Sequence, residues 1–429
     1  MNFALRVSPA VRYLLLWMIC GATCGCNAPR RVCLPPGVLT SSAAVDLNST
    51  SNQYSAPDRE LFEASLARLK SASDGAAAES TRQYNVLALS GGGCYGAFSA
   101  GVLGGWTATG RRPVLDIVTG VSTGALIATY AFLGPEYDHL TGKMYTTISS
   151  SDIYRSRPKL AVLWSDSAAT SEPLERLIAS HINPQVLQAV ANAHSQGRRL
   201  YVGTTNLDTG KLVIWDLGAI ASSGQCNAIE LYRKIILASA SVPGFLPPVS
   251  IDVTVNGRQY TELHADGGAT AQVFFRASML SLDVSQFSNG RRPLVGSHMY
   301  IIVAGKAYQD PECVEPRAIK IASTALSSLT YAQTRNDLIR IYTLTMLTGM
   351  DFHVAMMPQD FPINRDSMAF DPAEMQRLYK EGYQLAAGNR VWADVPPVLD
   401  ASQESIPRSG VDFFVPDDAV IRTGSTPES

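Results

Sequence analysis

Four things are scarce in this chain of 429 residues, and each scarcity removes a class of function. An excess of charge of one sign is lacking: 35 Lys and Arg stand against 37 Asp and Glu, a net charge of −2. No long basic run is present to follow a phosphate backbone, so no nucleic-acid partner is expected. Cysteine is scarce. Cys20, Cys24 and Cys26 crowd the N-terminus, and Cys33, Cys94, Cys226 and Cys313 are too dispersed to staple a fold, so one disulfide is allowed and none is required. Metal-ligand spacing is missing, with neither a Cys-x-x-Cys nor a His-x-x-x-His pair, and no metal site has local support. Long apolar runs are missing as well: a bilayer span needs about 20 residues and no segment approaches that length. What remains is ordinary globular material, 46% hydrophobic and 17% charged. It suits one sizeable domain with decorations, and no internal repeat breaks it up.

The N-terminus reads as an export signal. Arg6 and Arg12 precede the short apolar run Tyr13–Ile19, and the small and polar stretch Gly21–Cys26 follows. Cys26, with Gly25 before it, resembles the lipidated cysteine of a bacterial lipoprotein signal, although Thr23-Cys24 stands where Leu and a small residue are usual. Plain cleavage and an uncleaved anchor are the alternatives. Residues 1–26 are thus expected to direct export and to tether the protein to a membrane on its periplasmic or outer-membrane side. Residues 27–57 are rich in Ser, Asn, Pro and Ala and read as a linker. Between Asp58 and Ser73, Leu61, Phe62, Leu66 and Leu69 recur at helical spacing, which predicts an amphipathic helix.

Two consecutive segments then share one rhythm. Tyr84–Ser90 is an apolar run of strand length ending at Gly91-Gly92-Gly93, and Ala97–Trp106 follows at helix-like density. Val114–Thr119 is a second strand, Gly120-Val121-Ser122-Thr123-Gly124 a second turn, and Ala125–Phe132 a second helix. Repeated strand-turn-helix units favour a mainly parallel sheet covered on both faces, with ligands at the carboxyl ends of its strands. Further strands are expected at Leu200–Thr205 and Lys211–Trp215, around Asn256-Gly257, and at Met299–Ala304, with a helix at Leu231–Ser241.

The chemistry follows from the turns. A serine hydroxyl is a poor nucleophile until it is held beside a base, and a Gly-x-Ser-x-Gly corner between strand and helix holds it so. Ser122 occupies that corner, and Gly120 and Gly124 leave room for neighbouring backbone. Side-chain-free amides at Gly91, Gly92 and Gly93, with Gly96 opening the helix behind them, would donate to the oxyanion of an acyl-transfer intermediate. Read as Gly-x-Gly-x-x-Gly, the same residues would open a dinucleotide site, with Asp116 as the ribose acid. For the base, His139, His181 and His194 fall in polar helical contexts. His298 and His353 lie downstream of the serine, where an α/β hydrolase would carry its histidine. Asp266 ends a strand at the glycine pair Gly267-Gly268 and is the candidate base; His264, two residues earlier, reads as a structural histidine. Phe274-Phe275 and Phe245-Leu246-Pro247 are candidates to line an acyl groove.

Three ordered motifs, Gly91-Gly92-Gly93-Cys94-Tyr95-Gly96, Gly120-Val121-Ser122-Thr123-Gly124 and Asp266-Gly267-Gly268, resemble those of bacterial patatin-like phospholipases. The segment Ala238–Pro248 is similar to the Ala-Ser-x-Ala-x-Pro-x-x-x-Pro-Pro stretch that precedes the acid in that family. Tyr95 departs from it, standing where Arg or Lys is usual. The resemblance covers about Val86 to Val303. It implies a three-layer α/β/α fold with a mainly parallel central sheet, expected over residues 58–310; beyond it, helical patterning from Pro311 to about Ala387 predicts a helical C-terminal extension over 311–395, and the polar, Pro-rich residues 396–429 read as a loose tail. The resemblance also implies a Ser122–Asp266 dyad without histidine, cleaving fatty acyl esters through an acyl-serine at a membrane surface. No cofactor and no protein partner are expected. An inactive lipid- or protein-binding scaffold of the same fold is the rival reading, and a dinucleotide-binding oxidoreductase stands behind it.

Overall fold

The computed structural model describes residues 31–33, 83–158, 164–255, 257–280 and 294–397. The expected export signal with Cys26, the amphipathic helix at 58–73, and nearly all of the linker and tail lie outside these residues. Among the described residues eleven strands run in chain order: β1 (Asn85–Leu89), β2 (Ile117–Val121), β3 (Arg155–Ser156), β4 (Ala169–Thr170), β5 (Arg199–Asn206), β6 (Lys211–Asp216), β7 (Val249–Val255), β8 (Arg258–Asp266), β9 (His298–Ile302), β10 (Asp351–Ala355) and β11 (Trp392–Ala393). β3 and β4 form a small separate ribbon, and the rest make one sheet in the order β11-β10-β9-β1-β2-β5-β8-β7, with β6 also on β5. The centre, β10-β9-β1-β2-β5, is parallel, while β11, β6, β7 and β8 pair antiparallel with their neighbours.

Alternation along β1 shows why the sheet is a middle layer. Leu87 and Leu89 enter a core with the helices Gly96–Ala108 and Thr123–Leu133. Val86 and Ala88 enter a second core on the other face, with Leu338 and Ile341 of the long helix Ala318–Thr348. Successive strand side chains point to opposite faces, so a central strand apolar at every position needs cover on both sides. The fold is therefore a three-layer α/β/α arrangement with a mostly parallel sheet, as the sequence rhythm predicts.

Residues 311–395 depart from their helical pattern in one respect. Between the helices Ala318–Thr348 and Pro372–Ala387, β10 joins the parallel sheet against β9, and β11 closes its edge. Asp351 and His353 interrupt the apolar character of this five-residue strand, which hides it from a reading of periodicity. Helix Pro372–Ala387 packs on Gly96–Ala108 at backbone distance: a Cβ on Gly101 would stand 2.1 Å from the Tyr379 carbonyl oxygen. The C-terminal segment is thus built into both the sheet and a helical layer.

Candidate active site

The register of β5 explains how two distant residues meet. Gly203 pairs with Val121, the last residue of β2, and Thr204 pairs with Asp266, the last residue of β8. β6 occupies the other side of both positions, opposite Ile214 and Val213. β2 and β8 therefore lie along the same side of β5, run toward each other and stop at adjacent rungs. The residue that follows β2 is Ser122, so the topology brings its hydroxyl beside the Asp266 carboxylate, whose proton affinity it lowers.

Strand β2 continues through Gly120 and Val121, which confines the corner to Ser122 itself. Its φ of 54° and ψ of −124° lie where non-glycine residues are strained. Glycine flanks make room for the corner: a Cβ at Gly120 would meet the Gly124 carbonyl oxygen at 2.6 Å, and one at Gly124 would meet Leu89 O at 2.5 Å. A residue absent from the sequence reading pins the corner. Ser239 Oγ accepts the Ser122 N–H at 2.9 Å and donates to Gly203 O at 2.7 Å, tying the serine backbone to β5. Only its place within the Ala238–Pro248 segment could have flagged it. From Ser122 the helix Thr123–Leu133 leads away, so its N-terminal dipole end faces the serine.

Asp266 is buried, and burial pushes its carboxyl up to about 6, opposed by the Ser122 hydroxyl beside it and by the Gly268 N–H, which donates to Oδ1 at 2.7 Å. Loss of solvent around the carboxylate is the main cause of the rise. Its backbone is clamped as well, the N–H donating to Ser241 O and the C=O accepting from Thr205 Oγ1, both at 2.8 Å. Gly267 lies against Gly203, where a Cβ would come within 2.5 Å of the carbonyl oxygen. A carboxyl poised near neutrality beside a serine hydroxyl can take its proton.

The glycine loop needs one correction. The Gly91 N–H donates to Gln272 O at 3.0 Å, and the Cys94 N–H donates to Ser367 O at 2.8 Å. Gly91 is therefore not an oxyanion donor but a floor beside the serine, since a Cβ on it would lie 3.3 Å from Ser122 Cβ. Among the described residues the amides of Gly92 and Gly93 have no such backbone partner. Both residues have positive φ, 153° and 56°, and a Cβ on either would strike the backbone of Ala304 or Ser367. Gly96 abuts Thr123, whose hydroxyl hydrogen-bonds the Tyr145 hydroxyl. Tyr95 is buried and donates to Asn364 O, which makes it an anchor for the loop.

The other candidates fall elsewhere. Asp116 accepts the Asn85 N–H at 2.8 Å, at the opposite end of the strands from the glycines, so a ribose-binding role is contradicted. His298 begins β9 opposite Asn85, four rungs before Leu89 and thus about 13 Å along the strand direction from the site. Its ring meets His353 at 3.2 Å, and His353 in turn meets Asp394 at 3.0 Å. His264 is fully buried between Thr204 Oγ1 at 2.9 Å and Glu262 Oε2 at 3.0 Å, a structural histidine.

An apolar cleft opens on Ser122 and Gly93, walled by Leu126, Met144, Ile148, Leu177, Leu246 and Phe370 among others. Leu246 was a candidate for this role; Phe274 and Phe275 belong instead to the core on the other face of the sheet. Among the described residues no group of three or more acidic, histidine or cysteine side chains could hold a metal, and no helix is long and apolar enough to cross a membrane.

Residues 87–278 match the family model of patatin-like phospholipase. Among solved structures, VipD from Legionella pneumophila is similar at 12% identity, over 71% of this chain and 66% of that one, with a TM-score of 0.31. The type III effector protein ExoU is similar at 15% identity, over 72% of this chain and 53% of that one, with a TM-score of 0.21. The chain thus spans just under two thirds of the length of VipD and about half that of ExoU. No curated protein matches it.

Proposed function

We propose that the protein is a lipid acyl hydrolase in which Ser122 is the nucleophile and Asp266 its base, a reading supported by the match of residues 87–278 to the patatin-like phospholipase family model. One observation carries this reading: a strained serine at a strand-to-helix corner stands beside a buried carboxylate whose proton affinity burial has raised. In the first half-reaction Asp266 takes the hydroxyl proton as Ser122 Oγ attacks the ester carbonyl, and the Gly92 and Gly93 amides stabilise the oxyanion. The C–O bond to the alcohol breaks, the proton passes from Asp266 to that alcohol, and an acyl-serine remains. Water, deprotonated by Asp266, then releases the fatty acid and restores the serine.

The cleft supports an acyl rather than a polar ligand, since its walls are almost wholly apolar. Its free space of about 40 Å³ admits only a few water molecules. An acyl chain of more than a few carbons must push side chains such as Met144 and Met368 aside, and methionine yields readily. Mass spectrometry of products from phospholipids and from simple esters of graded chain length tests the proposal. Free fatty acid released by the wild type and not by Ser122→Ala is the expected result. Hydrolysis unchanged by that substitution would rule the mechanism out.

A further inference from the structure

Three segments of the site converge on Gln272, six residues beyond Asp266. Its carbonyl accepts the Gly91 N–H at 3.0 Å, fixing the base of the glycine loop. Its side-chain Nε2 donates to Gly268 O at 2.8 Å, fixing the turn that carries Asp266. Its own N–H donates at 2.8 Å to Asp337 Oδ2, which also receives the Val273 N–H at 3.4 Å. Asp337 belongs to the helix Ala318–Thr348, beyond the matched residues 87–278. Arg340, its neighbour one turn on, reaches the other carboxylate oxygen at 3.5 Å.

Burying a carboxylate is unfavourable unless hydrogen bonds and charge compensate. Here the compensation comes from Arg340 first and then from the backbone N–H groups of Val273 and Gln272, on the segment that follows the acid turn. We propose that Asp337 is a positioning residue: acting through Gln272, it sets the spacing between the glycine loop and the acid turn around Ser122. The C-terminal segment then completes the site instead of merely covering the domain. This inference rests on the reading of Ser122 as nucleophile. Its physical basis is the steep dependence of rate on geometry, where about 1 Å of misplacement costs about 10²-fold.

The test uses the full chain, a soluble short-chain ester, and titration of reactive serine with a fluorophosphonate, so that rates are counted per competent site. Asp337→Ala is expected to lower kcat per titrated serine by about 10²-fold, with KM within about twofold. Asp337→Asn keeps an acceptor oxygen for the two N–H groups and is expected to restore kcat to within about fivefold of wild type. A structural role alone would reduce the number of competent sites and leave kcat per site untouched, and that outcome overturns the proposal. If Asp337→Ala does not fold, Gln272→Leu decides: a kcat about tenfold down supports the relay, and an unchanged kcat overturns it. A wild type inert to both ester and fluorophosphonate would instead overturn the nucleophile reading, and this inference with it.

Discussion

The two strand-to-helix corners of this molecule are written in nearly the same local grammar, yet they do opposite work. After β1 the chain turns through Gly92 and Gly93, both at positive φ, and what it presents is bare backbone. After β2 it turns through Ser122, at positive φ despite its Cβ, and what it presents is a side chain. Glycine adopts such a conformation freely; serine does so only where its surroundings over-determine it. Those surroundings are visible in the Ser239 hydroxyl that holds the Ser122 N–H and in the close packing of Gly120 on Gly124. On the proposed mechanism one corner supplies donors without a nucleophile and the other a nucleophile under strain. Asp266 belongs to neither and is brought in by β8.

Substitutions at the two corners should separate these contributions. Ser122→Ala removes the side chain that defines the second corner, and ester hydrolysis should fall by about 10⁶-fold, to background, with the fold intact by circular dichroism. Asp266→Asn leaves the corner in place without its base, and a loss of about 10⁴-fold in kcat is expected. The same residue sets the pH dependence. In the wild type kcat/KM should rise with pH and level off above about 6, where the carboxyl ionises.

Stability carries the opposite sign. The folded state holds the Asp266 proton more tightly than the unfolded chain does, so this contribution is present at low pH and is lost as pH rises through about 6. Melting curves of Asp266→Asn against wild type should therefore diverge in favour of the mutant by up to about 3 kcal/mol between about pH 4 and about pH 8. At the first corner, Gly93→Ala forces a Cβ to within 2.1 Å of Ser367 O, and the displaced amide should lower kcat by about 10²-fold. The smallest effect is expected from Ser239→Ala, which frees the Ser122 N–H without touching either reacting group. A loss of about tenfold in kcat with KM unchanged would show that this bond holds the strained corner. Equal damage from Gly93→Ala and Ser122→Ala would erase the distinction between the corners.

Both corners could be read from sequence because their signals are local: an apolar run, glycines, then a helix-dense stretch. The hairpins β5-β6 and β7-β8 were legible for the same reason, through Asp208-Thr209-Gly210 and Asn256-Gly257. Asp266 could be suspected from the glycine pair after it. Its meeting with Ser122 depends on β8 following β2 along one side of β5, a pairing between segments about 60 residues apart that no local pattern encodes. The reading of Gly91 as a donor failed similarly, since the carbonyl that takes its N–H comes from Gln272. Likewise the cleft collects its walls from well-separated segments, Leu126, Leu177, Leu246 and Phe370 among them, each of which reads in isolation as ordinary core.

The most direct test of the account is mass spectrometry of the intact protein and its peptides after exposure to a fluorophosphonate. The account predicts a single covalent adduct on the peptide that carries Ser122, formed quickly in the wild type and slowly or not at all in Asp266→Asn. An unmodified Ser122 in folded wild-type protein, or an adduct that forms as fast without the Asp266 carboxylate, would contradict it.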